Sequence, residues 1–80
     1  MSYTVYILFS ETYKKHYTGF TSNLTERFKS HNELGNDWTS KYRPWKIIHF
    51  KEFESKAEAM KYEAWLKTGI GRDFIKLLPH

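Results

Sequence analysis

Seven consecutive residues near the N-terminus, Tyr3-Thr4-Val5-Tyr6-Ile7-Leu8-Phe9, are almost all aromatic, branched or aliphatic. Side chains alternate between the two faces of an extended strand, so Tyr3, Val5, Ile7 and Phe9 share one face while Tyr6 and Leu8 share the other. Both faces are apolar. Such a strand needs cover on both sides, which places it at the centre of a sheet. With 80 residues the chain holds one domain, residues 1–80, and one modest core. It has no cysteine, so neither a disulfide nor a thiolate zinc site helps it fold. Aromatic residues, 19% of the sequence, supply bulk instead; each can bury roughly 150–250 Å².

The remaining pattern gives an α+β fold. Residues 10–15 are polar and read as a loop, and residues 16–20 read as a second strand, close enough to the first to form an antiparallel hairpin. Gly19 within it marks a bulge or a close backbone approach. Asn23 with Glu26 forms a capping box, and Leu24, Phe28 and His31 recur at helical spacing, so residues 24–33 are expected to be helical, with Gly35 ending the helix. Residues 36–45 read as a long loop and residues 46–53 as a third strand. Ser55 and Glu58 form a second capping box, opening a helix from Lys56 to about Thr68 that Gly69 can close. Residues 72–78 form a short last helix with Phe74, Leu77 and Leu78 on one face. The order β-β-α-β-α-α gives a small three-stranded antiparallel sheet flanked by helices.

Net charge is +4, all of it arising in residues 41–80. A positive field of this kind favours polyanions such as nucleic acid. There is no apolar run of about 18 residues, hence no membrane span, and the N-terminus lacks the basic region and cleavage site of a signal peptide. The expected setting is therefore cytoplasmic and away from membranes. With 15 aromatic residues, an exposed patch able to bind a protein partner or a second copy is also expected.

Several residues could carry chemistry, each with a structural alternative. On a helical wheel Ala59, Tyr62, Glu63 and Leu66 fall within about one 100° sector, which puts a carboxylate on or beside the face that packs on the sheet. It needs a compensating metal, arginine or rim position; the structural alternative is an i,i+4 pair with Lys67. Arg27 and His31 lie one turn apart, flanking the Leu24–Phe28 stripe. A guanidinium suits a phosphate, but Arg27 also reads as a surface residue, and His31 as a packing residue. Tyr6 and Tyr17 sit on the two hairpin strands and read equally as a cross-strand aromatic pair. Trp38, Lys41, Tyr42, Arg43, Trp45 and Lys46 interleave rings and cations, a mixture that stacks on bases and neutralises phosphates, or else pins a loop to the core. There is no phosphate-binding glycine loop, His-Glu-x-x-His motif or nucleophile elbow. The four histidines are too scattered to suggest a zinc site.

Taken in order, Val5-Tyr6-Ile7, Tyr17-Thr18-Gly19, Arg27, His31 and Glu63 resemble the GIY-YIG endonuclease superfamily, in particular its small single-domain bacterial branch. The resemblance covers roughly residues 3–76 and includes Asn-Leu-x-x-Arg-Phe-x-x-His-Asn, Arg-Pro-Trp and Glu-x-x-Leu-Lys. It implies a metal-dependent DNA endonuclease, with structure selectivity or a protein partner making up for the absent targeting domain. It further implies that Glu63 holds a single divalent cation, Mg²⁺ with Mn²⁺ as alternative, and that Arg27 binds the scissile phosphate. One of Tyr6 or Tyr17 helps activate water, and His31 is auxiliary. Products would carry 5′-phosphate and 3′-hydroxyl ends. This chain departs from the pattern in reading Val-Tyr-Ile and Tyr-Thr-Gly at the two name-giving motifs, in having Phe20 where some repair members have lysine, and in lacking a clear match to an asparagine after the metal-binding helix. The alternative is a catalytically inactive nucleic-acid-binding module of the same fold.

Overall fold

The structure, a computed structural model, describes residues 2–30, 32 and 41–79. Strand β1 (Tyr3–Ser10) lies between β2 (Lys15–Thr21) and β3 (Lys46–Phe53) in an antiparallel sheet of order β2-β1-β3. The doubly apolar strand is thus central, and Val5, Tyr6, Ile7 and Leu8 are all at most 1% exposed. Complete burial of such a side chain contributes about 1.5–3 kcal/mol, so β1 is the main apolar spine of the fold. The β1–β3 register shifts between Ile7, opposite His49, and Leu8, opposite Ile47, leaving Ile48 as an extra residue in a bulge.

Each face of β1 carries its own cover. Val5 and Ile7 pack against Ala59 and Leu66 of α2 (Lys56–Leu66) and Ile75 of α3 (Gly69–Lys76). Tyr6 and Leu8 pack against Trp45, with Tyr17, Tyr42 and the Leu24–Phe28 stripe of α1 (Leu24–Lys29) around them. The helical caps form as the sequence implies: Asn23 Oδ1 accepts from the Glu26 amide at 3.1 Å, and Ser55 Oγ from the Glu58 amide at 3.1 Å.

Two boundaries differ from expectation. Helix α2 stops at Leu66, and Gly69 opens α3 instead of closing α2. Thr68 is the cause. Its hydroxyl donates to the Trp65 carbonyl at 2.6 Å and accepts from the Gly71 amide at 3.2 Å, ending one helix and capping the next. Starting α3 earlier turns Ile75 inward at 7% exposure and leaves Leu77, expected on the packed face, 85% exposed. The corner is tight: a Cβ on Gly71 would collide with the Trp65 carbonyl and lie 2.5 Å from the Leu66 Cα. Helix α1 is α-helical to Lys29, and Ser30 and Asn32 are in the wider π-helical form; the rest of the expected 24–33 span lies outside the described residues. Gly35, the loop at residues 36–40 and His31 lie outside the described residues. No helix among the described residues is long and apolar enough to cross a membrane.

Candidate active site

On the α1 side of the sheet, Tyr6 pairs with Gly19 and Leu8 pairs with Tyr17, so the two tyrosines share a face as diagonal neighbours. Their ring centroids are 6.2 Å apart. The pairing explains the glycine of the second motif. A Cβ on Gly19 would lie 2.9 Å from the Tyr6 hydroxyl and 3.1 Å from the Tyr17 ring. The bare backbone is what lets the Tyr6 phenol lie across β2, and this is the close approach the sequence suggested.

Helix α1 is laid over the same face by Leu24 and Phe28, which pack on the Tyr6–Leu8–Trp45 cluster. Arg27, between them, hydrogen-bonds both tyrosine hydroxyls through its guanidinium. The Tyr6 hydroxyl is pushed up to about 12, chiefly by burial; its bond from Arg27 opposes the rise, and the neighbouring Tyr17 and Glu63 add to it. Arg27 is raised in turn, first by its bond to Tyr6. At neutral pH this is a neutral phenol holding a permanent cation.

Glu63 lies on the α2 side, half-buried at 19% side-chain exposure as its wheel position implied. Its charge reaches Tyr6 but ranks last among the influences on that hydroxyl. Its Oε1 accepts from Lys67 Nζ at 3.1 Å, the i,i+4 pair that the sequence offered as the structural alternative. Thus Tyr6, Tyr17 and Arg27 form one hydrogen-bonded group, and Glu63 stands within electrostatic range of it, held by Lys67. Among the described residues no three acidic or histidine side chains cluster as a metal-binding group. One carboxylate does fit a hard, hydrated ion such as Mg²⁺, which takes most of its ligands from water and phosphate; it does not fit zinc, which wants several nitrogen or sulfur donors.

The cation-and-ring segment splits. Trp45 is only 3% exposed and has no face to offer a base, which corrects its expected place on a nucleic-acid surface. The reason is Asn32, which the residue pattern gave no role. Its Oδ1 accepts from the Trp45 amide at 2.6 Å and its Nδ2 donates to the Trp45 carbonyl at 3.1 Å, fixing the backbone while the indole enters the core. The only hint in the sequence was its place at the end of the His-Asn motif. Tyr42 is half-buried, edge-on to Trp45 at 6.3 Å and to Tyr13 at 5.4 Å. Lys41 is exposed, Arg43 half-buried, and Lys46 lies 3.8 Å from Glu11.

Residues 2–71 match the GIY-YIG catalytic domain. The chain is 35% identical over 79 residues to a UPF0213 protein of Limosilactobacillus reuteri, covering 95% of this chain and 81% of that one. It is 42% identical over 52 residues to a UPF0213 protein of Clostridium perfringens, covering 64% of this chain and 56% of that one. It therefore spans about half the length of some relatives, 48–59%. A solution NMR structure of a UPF0213 protein from Bacillus halodurans superposes with a TM-score of 0.57 at 29% identity, over 94% of this chain and 82% of the other. The matched catalytic domain, the near full-length relative and the shared three-stranded architecture agree: this chain belongs to the GIY-YIG nuclease family, with the small UPF0213 proteins as relatives.

Proposed function

We propose that this chain is a metal-dependent endonuclease that hydrolyses DNA phosphodiester bonds at the Tyr6–Tyr17–Arg27–Glu63 site. The observation that carries the reading is a single guanidinium held by two tyrosine hydroxyls from adjacent strands. A guanidinium has five N–H donors in a planar fork, so two hydroxyls leave donors for a phosphate while fixing the fork's plane.

The roles follow from burial and charge. Tyr6, buried and kept neutral by its raised pKa, positions Arg27. Tyr17, half-buried and bonded to the same guanidinium, is the hydroxyl that meets the attacking water: it takes the water's proton as it releases its own to bulk solvent, so the phenol ends neutral. Arg27 donates to the non-bridging oxygens as charge builds on them. Water oxygen bonds to phosphorus, the bond from phosphorus to the 3′ oxygen breaks, and that oxygen leaves as a hydroxyl after gaining a proton from solvent. Glu63 would hold the divalent cation, Mg²⁺ or Mn²⁺, whose charge offsets that of the phosphate.

The test is to incubate the protein with branched, flapped and plain duplex DNA, and with RNA of the same sequence, in Mg²⁺ or in EDTA. The reading expects DNA products with 5′-phosphate ends in Mg²⁺ and none in EDTA. Salt-sensitive binding with no cleavage of any substrate would instead identify the chain as a non-cleaving nucleic-acid-binding module.

A further inference from the structure

The carboxylate that would take the divalent cation already has a cation on it. Lys67 Nζ donates to Glu63 Oε1 at 3.1 Å, and among the described residues Glu63 makes no other hydrogen bond or ion pair. Arg27, the other cation of the site, is engaged by the two tyrosine hydroxyls instead. The two ends of the pair differ in burial: the Glu63 side chain is 19% exposed and that of Lys67 57%. A half-covered carboxylate needs a counter-charge. An exposed lysine on a flexible four-carbon stem can leave it and stay solvated.

The chain holds the pair in place. Lys67 caps α2, its amide donating to the Ala64 carbonyl at 3.1 Å. The next residue, Thr68, is tied to the Trp65 carbonyl and the Gly71 amide, and a Cβ on Gly71 would strike the Leu66 backbone. The α2–α3 corner therefore fixes the Lys67 backbone relative to Glu63, one turn earlier. A pair of this spacing on an ordinary helix surface does little more than support the helix. This one occupies the carboxylate on which the proposed metal depends. A hydrated divalent ion bound by one carboxylate takes its remaining ligands from water and phosphate. With Lys67 on Oε1, such an ion must displace the ammonium or sit beside it, and two cations close together on one carboxylate repel.

We propose that Lys67 is a positioning residue that competes with the divalent cation for Glu63. Without metal its ammonium neutralises and orients the carboxylate; with metal it is displaced into solvent. The inference rests on the metal-dependent nuclease reading and names a regulation of that site. The free protein binds metal weakly, and the ion is held firmly only when a substrate phosphate adds further oxygen ligands.

The test titrates Mn²⁺, as a stand-in for Mg²⁺, into DNA-free protein and reads the free ion by electron paramagnetic resonance. Lys67→Met, at an exposed position, removes the charge and keeps most of the side-chain length. It should tighten Mn²⁺ binding by about three- to tenfold, the scale of one screened charge beside a divalent ion. That gain should shrink as salt rises. Lys67→Arg keeps the charge and should bind as weakly as wild type. Glu63→Gln should abolish the site, and Glu63→Gln/Lys67→Met should not regain it. If Glu63→Gln abolishes binding but Lys67→Met leaves it unchanged or weaker, or Lys67→Arg shows the same gain as Lys67→Met, the competition is overturned and Glu63 remains a ligand. Binding indifferent to Glu63→Gln overturns both the competition and the metal role of Glu63. A protein that binds Mn²⁺ through Glu63, more tightly without the Lys67 charge, yet cuts no DNA in Mg²⁺ fails the nuclease reading alone.

Discussion

Gly19→Ala tests the geometry of the site through stability. The new methyl would sit 2.9 Å from the Tyr6 hydroxyl and 3.1 Å from both the Tyr6 Cζ and the Tyr17 ring. Ordinary contact begins near 3.4 Å, so Tyr6 must retreat by several tenths of an ångström. It has little room to do so at 1% exposure, packed against Leu8 and Trp45. Overpacking of this kind costs about 1–3 kcal/mol. Restricting the unfolded chain returns about 0.4–1 kcal/mol, leaving a net loss of up to about 2.6 kcal/mol, with a midpoint of about 1.3 kcal/mol. For a domain of this size the midpoint is a fall of about 5–10 °C in Tm, read by circular dichroism. Tyr6→Phe removes the nearest atom, so Gly19→Ala should cost less in that background, with a coupling of about 0.5–1 kcal/mol. Gly69→Ala is the control: its Cβ meets nothing within 4 Å, so it should be neutral or stabilising. If Gly19→Ala matches Gly69→Ala in Tm, the Tyr6 phenol does not lie over β2 and the assembled site is wrong.

Three more outcomes follow from the same geometry. Gly71→Ala forces a methyl into α2 backbone that cannot yield, and should cost about 3 kcal/mol or more of a total on the order of 4–12 kcal/mol, seen as loss of cooperative urea unfolding. Tyr6 ionises near pH 10 when unfolded and near 12 when folded, so between those values the unfolded chain has lost more protons and stability falls as pH rises. The loss should approach about 2–3 kcal/mol by pH 12, and Tyr6→Phe should remove that part of the alkaline slope in urea titrations. Arg27→Lys keeps the charge but not the fork, so it should lower single-turnover cleavage by about 10²–10³-fold while changing Tm little, Arg27 being exposed.

The parts of the fold governed by local rules were legible in the sequence. Apolar character on both faces of Tyr3–Phe9 set the central strand, the two capping boxes set the starts of α1 and α2, and β3 matches its expected span. What escaped depends on contacts between distant residues or on one hydroxyl serving two helices. Thr68 ends α2 and starts α3, which a propensity pattern running through Lys67 and Thr68 does not reveal. Trp45 is buried because Asn32, 13 residues earlier, grips its backbone. The site was legible as spacing and not as bonding: Tyr-x-Gly explains itself only once Tyr6 is seen crossing Gly19, and Arg27 only once α1 is laid over both hydroxyls. Glu63 makes the pair with Lys67 that was its structural alternative, and its charge also acts weakly on Tyr6.

That double character makes Glu63 the residue on which the catalytic reading turns. Glu63→Gln keeps the side-chain shape and a hydrogen-bond acceptor for Lys67 but removes the charge that would hold a divalent cation, and the i,i+4 pair it weakens, with its Lys67 end exposed, contributes only about 0.3–0.5 kcal/mol. Single-turnover cleavage of a flapped DNA by wild-type and Glu63→Gln protein, each in Mg²⁺ and in EDTA, is the decisive measurement. The substitution and EDTA should each lower cleavage by about 10²-fold or more at unchanged Tm, and combining them should add little. Cleavage by Glu63→Gln at the wild-type rate, or cleavage indifferent to EDTA, would contradict a metal-bound Glu63 at the centre of the site.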